Sequence, residues 1–323
     1  QIKASPEFSF VAKYGGAGYI KWADEMGILA TRNYRQNRFE AVDEIDGTRL
    51  GKHVTRSRGC YRCPVRCKAE LDFHNGRFEG NGAIRPEFEP MLSLGSKCGL
   101  SDLETLVYLD NLCSRLGLDN ISAGSAIAFA MDLYDRAILT PTDTGGIELT
   151  WGNGDAMETL IRQMAYRKGL GALLSQGIRR AAAVFGRGSE RYAPHVKGLE
   201  LTGYHPYEIM GTALGYAISS RGGDFNDIYA TLEYRWSSEK AAREFERPMA
   251  DDIRAINGKA PLVKRAMLVT VVLDCLGLCK VPALCILSTF DLEAEAELTS
   301  ELSGWAVDTN MLFLIGERVA TME

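Results

Sequence analysis

From Leu92 onward the apolar positions recur at helical spacing almost to the end of the chain. Ser101-Asp102-Leu103-Glu104 spells a capping box, in which the Ser101 hydroxyl and the Glu104 side chain satisfy amides of a first turn. Leu103, Leu106, Val107, Leu109 and Leu112 then share one face, and Gly117 supplies a stop. A second helix is expected over Ser122–Leu139, with Ala126, Ile127, Ala130 and Met131 at helical spacing. Asp155 opens a third, and Leu173–Phe185 a fourth that ends at Gly186. The most apolar stretch, Ala266–Phe290, is interrupted by Asp274 and Lys280 and contains Gly277. It reads as a buried helix with a special feature in its middle, not as a membrane span.

Alternating patterns are few. The clear β signal is Asn75-Gly76 between Ala69–Phe73 and Arg77–Glu79, which predicts a two-stranded ribbon just after Cys67. The first fifty residues are mixed, with turns at Gly15-Gly16 and Gly27. Pro194 and Gly198 mark Tyr192–Leu201 as a boundary, so domains are expected over residues 1–197 and 198–323. The fold class is mainly α, two helical domains with a minor β-hairpin.

Composition narrows the partners. A net charge of −5 on 323 residues offers no electrostatic footprint for nucleic acid or for an anionic membrane surface. Residues 1–10 lack the apolar core of a secretory signal, and eight clustered cysteines suit metal-bound thiolates in a reducing, cytoplasmic compartment better than disulfides.

Cys60, Cys63 and Cys67 form a CxxCxxxC run. Three thiolates on a short irregular loop can reach three corners of an iron–sulfur cubane, with a fourth ligand from elsewhere. A structural zinc site more often draws on two separated pairs, and simple buried thiols are the remaining possibility. The last reading is taken for Cys98, Cys113 and Cys285. In Asp274-Cys275-Leu276-Gly277-Leu278-Cys279 an acid, a glycine and a thiol share one apolar segment. Asp274 there needs a hydrogen-bonding or cationic partner.

These motifs resemble those of the tungsten-dependent aldehyde:ferredoxin oxidoreductase family, which pairs the CxxCxxxC run with a later DxxGLC. The family's other pterin motif, DxxGLD, is matched by Ser114-Arg115-Leu116-Gly117-Leu118-Asp119, with Ser114 at the first acid. Ala30–Tyr34, Arg85–Glu89, Val196–Leu201 and Ile315–Val319 also look like family sequence. The resemblance implies that Cys60, Cys63, Cys67 and Cys279 hold one [4Fe–4S] cluster. It implies pterin contacts at Ser114, Asp119, Asp274 and Leu278, with tungsten or molybdenum held by two pterins. It further implies oxidation of an aldehyde-like substrate, ferredoxin or an electron-transfer subunit as acceptor, and a possible homodimer. A β-rich N-terminal domain would be missing, leaving the isolated piece inactive. Phe225 stands where the family often has histidine, so the acid–base candidates are Glu89, then Glu87 and His205. Both glutamates could instead be solvated turn carboxylates, and His205 a surface turn histidine beside Pro206. The rivals are a non-catalytic iron–sulfur electron-transfer module of the same fold and a helical domain with structural zinc.

Overall fold

The computed structural model describes residues 2–73, 82–230, 232–235, 239 and 252–323. The chain forms two compact units, Ser9–His205 and Pro206–Glu323 with Gln1–Phe8.

The larger unit is built around helix pairs. Helix α1, Leu103–Leu116, starts one residue later than the capping box implied: the Asp102 side chain accepts from Thr105 N, and Gly117 closes the helix in the left-handed region. Asp caps as well as Ser, and here Asp102 has the extended backbone that a cap requires. Helix α2, Asn120–Asp135, is the centre of the unit, buried continuously from Ala123 to Leu133. Helix α3, Gly154–Tyr166, is capped by Asn153. The expected fourth helix is two pieces, α4 (Gly169–Leu174) and α5 (Ile178–Phe185), parted at Gly177, whose φ is 89°.

The β-structure is richer than a two-stranded ribbon. Strands β1 (Val54–Arg58), β2 (Lys68–Leu71) and β3 (Ala83–Ile84) form an antiparallel sheet with β2 central. Strand β1 is fully exposed and rich in arginine, so it carries no alternating apolar signal. The Asn75-Gly76 turn lies outside the described residues. Asn111 of α1 bonds both the N–H and the carbonyl of Ile84 at 2.9 Å, docking the helix on the β3 edge. A short hairpin, β4 (His195–Val196) with β5 (Leu199–Glu200), precedes the end of the unit.

In the smaller unit α6 (Met210–Ile218), α7 (Lys259–Cys275), α8 (Glu293–Ser303) and α9 (Thr309–Met322) surround a core of Leu262, Val263, Val269, Val272, Phe290 and Leu312. The buried carboxylate of Glu233 accepts from Gly211 N at 2.7 Å and Thr212 N at 2.9 Å, capping α6, with Lys259 Nζ 3.2 Å away. The stretch Ala266–Phe290 is not one buried helix. Helix α7 ends at Cys275, Gly277 takes φ 67°, and a π-helical turn resumes at Val281–Leu287. No helix among the described residues is long and apolar enough to cross a membrane.

Candidate active site and cluster loop

The CxxCxxxC loop leaves β1 and returns to β2. Cys60 is exposed and Cys63 and Cys67 are half-buried, while Val65, 2% exposed, anchors the loop. Arg62 and Arg66 hold left-handed φ values of 56° and 52°, a conformation that costs a non-glycine residue roughly 1–2 kcal/mol each. Strain of this kind persists where surrounding contacts enforce it. Here Arg66 Nη2 donates to Ser57 O at 2.9 Å, and Arg85 Nη2 donates to Cys67 O at 2.6 Å. Arg85 is almost wholly buried, its guanidinium pKa is lowered by desolvation, and its Nε has no hydrogen-bond partner among the described residues. Arg56, Arg58, Arg62, Arg66 and Lys68 lie on or beside the same loop. Arg58 is paired with Glu70 and Lys68 with Glu87, and a stretch this rich in basic residues suits an anionic thiolate-bound cluster. Among the described residues no three His, Cys, Asp or Glu side chains gather as the ligands of a single metal ion. None of the eight cysteines forms a disulfide. Cys98 and Cys113 are buried thiols, and burial pushes each up to about 12; Cys285 is half-buried, less enclosed than expected.

Glu89 is not a solvated turn carboxylate. It sits in the short helical stretch Phe88–Pro90, 7% exposed, and its Oε2 accepts from Gly203 N at 2.6 Å. Two glycines make this possible. A Cβ on Gly124 would lie 2.4 Å from Ser93 O, and one on Gly203 would lie 2.3 Å from Leu92 Cδ2. The turn that carries Glu89 is therefore clamped between α2 and the 201–205 segment at distances no side chain allows. Glu87 differs: it is paired with Lys68 at 2.7 Å and its side chain is 43% exposed.

His205 is likewise not a surface histidine. It is 7% exposed, its backbone N donates to Ile28 O at 2.9 Å, and Nε2 lies 3.1 Å from Tyr34 O. A carbonyl only accepts, so Nε2 carries the ring hydrogen. Tyr34 ends a run, Arg32-Asn33-Tyr34, with φ of 43°, 52° and 64°, which turns its hydroxyl onto the carbonyls of Leu201 (2.7 Å) and Thr202. Sequence reasoning missed a further member of this group. Lys97 is completely buried, donates to Leu201 O at 2.9 Å and to Ser125 Oγ, and lies over the Tyr34 ring. Burial pushes its ammonium down to about 8, against the opposing pull of Glu89 and Glu200. Glu89, Lys97, Tyr34 and His205 thus meet on one five-residue segment, although no local pattern joins them.

The residues named for pterin are placed differently. Asp119 is exposed, and its Oδ1 accepts from Ser122 N at 2.6 Å to cap α2. Ser114 is exposed at the end of α1, with Asn120 Nδ2 3.3 Å from its hydroxyl. In the smaller unit Asp274 is exposed and not enclosed by its apolar neighbours; it pairs with Lys280 Nζ at 2.8 Å, which also donates to Asn226 O. Leu278 is half-buried and Cys279 exposed on the same loop. Phe225 packs edge-on against Tyr229, with ring centroids 5.0 Å apart, and brings no titratable atom.

A family model described as aldehyde ferredoxin oxidoreductase, domains 2 & 3, matches residues 1–323. The chain belongs to the aldehyde ferredoxin oxidoreductase family. A tungsten-containing aldehyde ferredoxin oxidoreductase of Thermococcus kodakarensis is 31% identical over 316 residues, covering 96% of this chain and 49% of the relative. This family member therefore spans about half the length of that relative. An aliphatic sulfonate oxidoreductase, WOR-like subunit, of Pyrococcus furiosus is 36% identical over 177 residues, 53% of this chain and 28% of the relative. Among solved structures, the active-site complex BamBC of benzoyl coenzyme A reductase aligns with a TM-score of 0.69 at 19% identity. That alignment covers 98% of this chain and 56% of the other, and it shows a shared fold. The mainly α class with small sheets is thus the family's C-terminal architecture.

Proposed function

We propose that this chain supplies the four cluster thiolates, Cys60, Cys63, Cys67 and Cys279, and one wall of a tungsten- or molybdenum-pterin site. The enzyme oxidises an aldehyde-like substrate to the acid and passes electrons to ferredoxin or an electron-transfer subunit. When bound, the metal–pterin and the cluster supply two-electron chemistry and a route for the electrons. The chain's own residues manage the proton. Such an oxidation releases protons with its electrons, so a titratable group must sit where substrate binds. Glu89 fills that role, with its Oε2 fixed by the Gly203 N–H. His205, two residues further along and held by Tyr34 O, is the second candidate. Lys97 supplies a buried positive charge beside them. The observation that carries the reading is this enclosed acid and a buried lysine both bonded to the 201–205 segment, which itself carries the buried His205.

Asp274, Leu278 and Cys279 occur in one loop, so pterin and cluster contacts would come from a single element. Glu89→Gln in the metal-loaded enzyme should lower turnover at least a hundredfold, with iron and tungsten content unchanged. Unaltered turnover would remove Glu89 from the role, and His205→Asn would then be the variant to measure.

A further inference from the structure

A pocket of about 390 Å³ opens between the β2–β3 edge, the turn before Pro90, and the facing ends of α1 and α2. That volume suits one small ring system. Ser114 lines it, but Asp119 does not. One helical turn before Ser114, on the same face of α1, Asp110 also lines it and is 7% exposed. The Asp110 carboxylate has one hydrogen-bond partner among the described residues, Asn120 Nδ2, which also reaches Ser114 Oγ. Lys68, Arg85, Arg115 and Glu87 complete the rim, Lys68 being paired with Glu87 at 2.7 Å. Arg85 donates from its two Nη atoms to Lys13 O and Cys67 O, and its buried Nε is unbonded among the described residues. A buried carboxylate with one hydrogen bond, in the same pocket as a buried unbonded N–H, is costly unless a ligand completes them. The complementary ligand edge carries adjacent N–H donors for the carboxylate and a carbonyl oxygen for the cations.

We infer that Asp110, and not Asp119, is the carboxylate acceptor of this half-site, and that the pocket takes a 2-amino-4-oxopyrimidine edge. The inference rests on the pterin reading above, and it places the acceptor one helical turn before Ser114, the residue that stands at the family's first acid. Asp119 is already committed to its helix cap, whereas Asp110 has an oxygen to offer. Two chemical sources carry this edge, a pterin and a guanine nucleotide.

The test is a fluorescence titration of this chain with neopterin, alongside GMP and lumazine, whose 2-oxo group replaces the amine. Wild type should bind neopterin at least tenfold more tightly than lumazine. Asp110→Asn should weaken neopterin at least tenfold, whereas Asp119→Asn, which keeps a good cap, should stay within twofold. Ser114→Asp in the Asp110→Asn background should restore binding, which a merely structural role for Asp110 would not produce. Tighter GMP binding with the same Asp110 dependence would support the edge chemistry and assign the nucleotide as its source. Equal binding of lumazine, no binding of neopterin or GMP, or sensitivity at Asp119 alone would overturn the inference. Because the readout needs no metal, it can fail while iron content and Glu89-dependent turnover still support the proposed function.

Discussion

Replacing Asp110 by Asn should make the protein more stable at neutral pH. Burial raises the Asp110 carboxyl from 3.8 to about 6, against the Asn120 hydrogen bond and the Lys68 charge. A shift of roughly two pH units corresponds to about 3 kcal/mol at 1.36 kcal/mol per unit. Between about pH 4 and 6 the folded chain holds a proton that the unfolded chain has released. Stability from this group is therefore present below 3.8 and lost as pH rises through about 6. Asn removes that loss but brings amide N–H donors into the buried site, one of which goes unpaired at a cost of about 1 kcal/mol. The net expectation is a gain of about 2 kcal/mol at pH 7.5, shrinking toward zero near pH 4. For a unit of this size that is about 4–8 °C in Tm. Urea unfolding or calorimetry of wild type and variant at pH 4.5, 6 and 7.5 would measure it. A variant less stable than wild type at pH 7.5, or a difference independent of pH, would refute the reasoning. A residue that costs stability yet is required for ligand binding is the signature of a site.

Further outcomes follow from the same geometry. Gly124→Ala should destabilise by about 1–3 kcal/mol, because its Cβ meets the Ser93 backbone carbonyl and not a movable side chain; denaturant titration checks this. Lys97, held down to about 8, should make stability rise between about pH 8 and 10.5, as the unfolded chain there binds the extra proton. Lys97→Met should abolish that rise in Tm. Asp102→Ala should cost about 1 kcal/mol through loss of the α1 cap, whereas Ser101→Ala should cost little.

Where neighbours in sequence are neighbours in space, the chain was readable. The apolar face of α1 and its stop at Gly117 follow from spacing and from one left-handed glycine. Where an element's character depends on distant contacts, it was not. Strand β1 is a strand because β2 pairs with it, and its arginines hide the pattern. Glu89 and His205 looked solvated because their flanking turns are polar and proline-containing. Their burial depends on Gly124 and Gly203, whose significance is the approach of another segment. Lys97 and Asp110 are charges among mostly apolar neighbours, a pattern that predicts a partner but not which distant group supplies it. Only a pattern one turn back from Ser114 could have pointed to Asp110, and it required knowing which face of α1 meets the pocket.

The central claim is that this chain binds an iron–sulfur cluster through Cys60, Cys63, Cys67 and Cys279 as part of a tungsten- or molybdenum-pterin enzyme. Metal analysis with electron paramagnetic resonance on anaerobically prepared wild type and Cys279→Ser tests it most directly. The account predicts about four iron atoms per wild-type chain with a reducible [4Fe–4S] signal, and altered or lost cluster in the variant. Stoichiometric zinc without iron, or a cluster indifferent to Cys279, would contradict it.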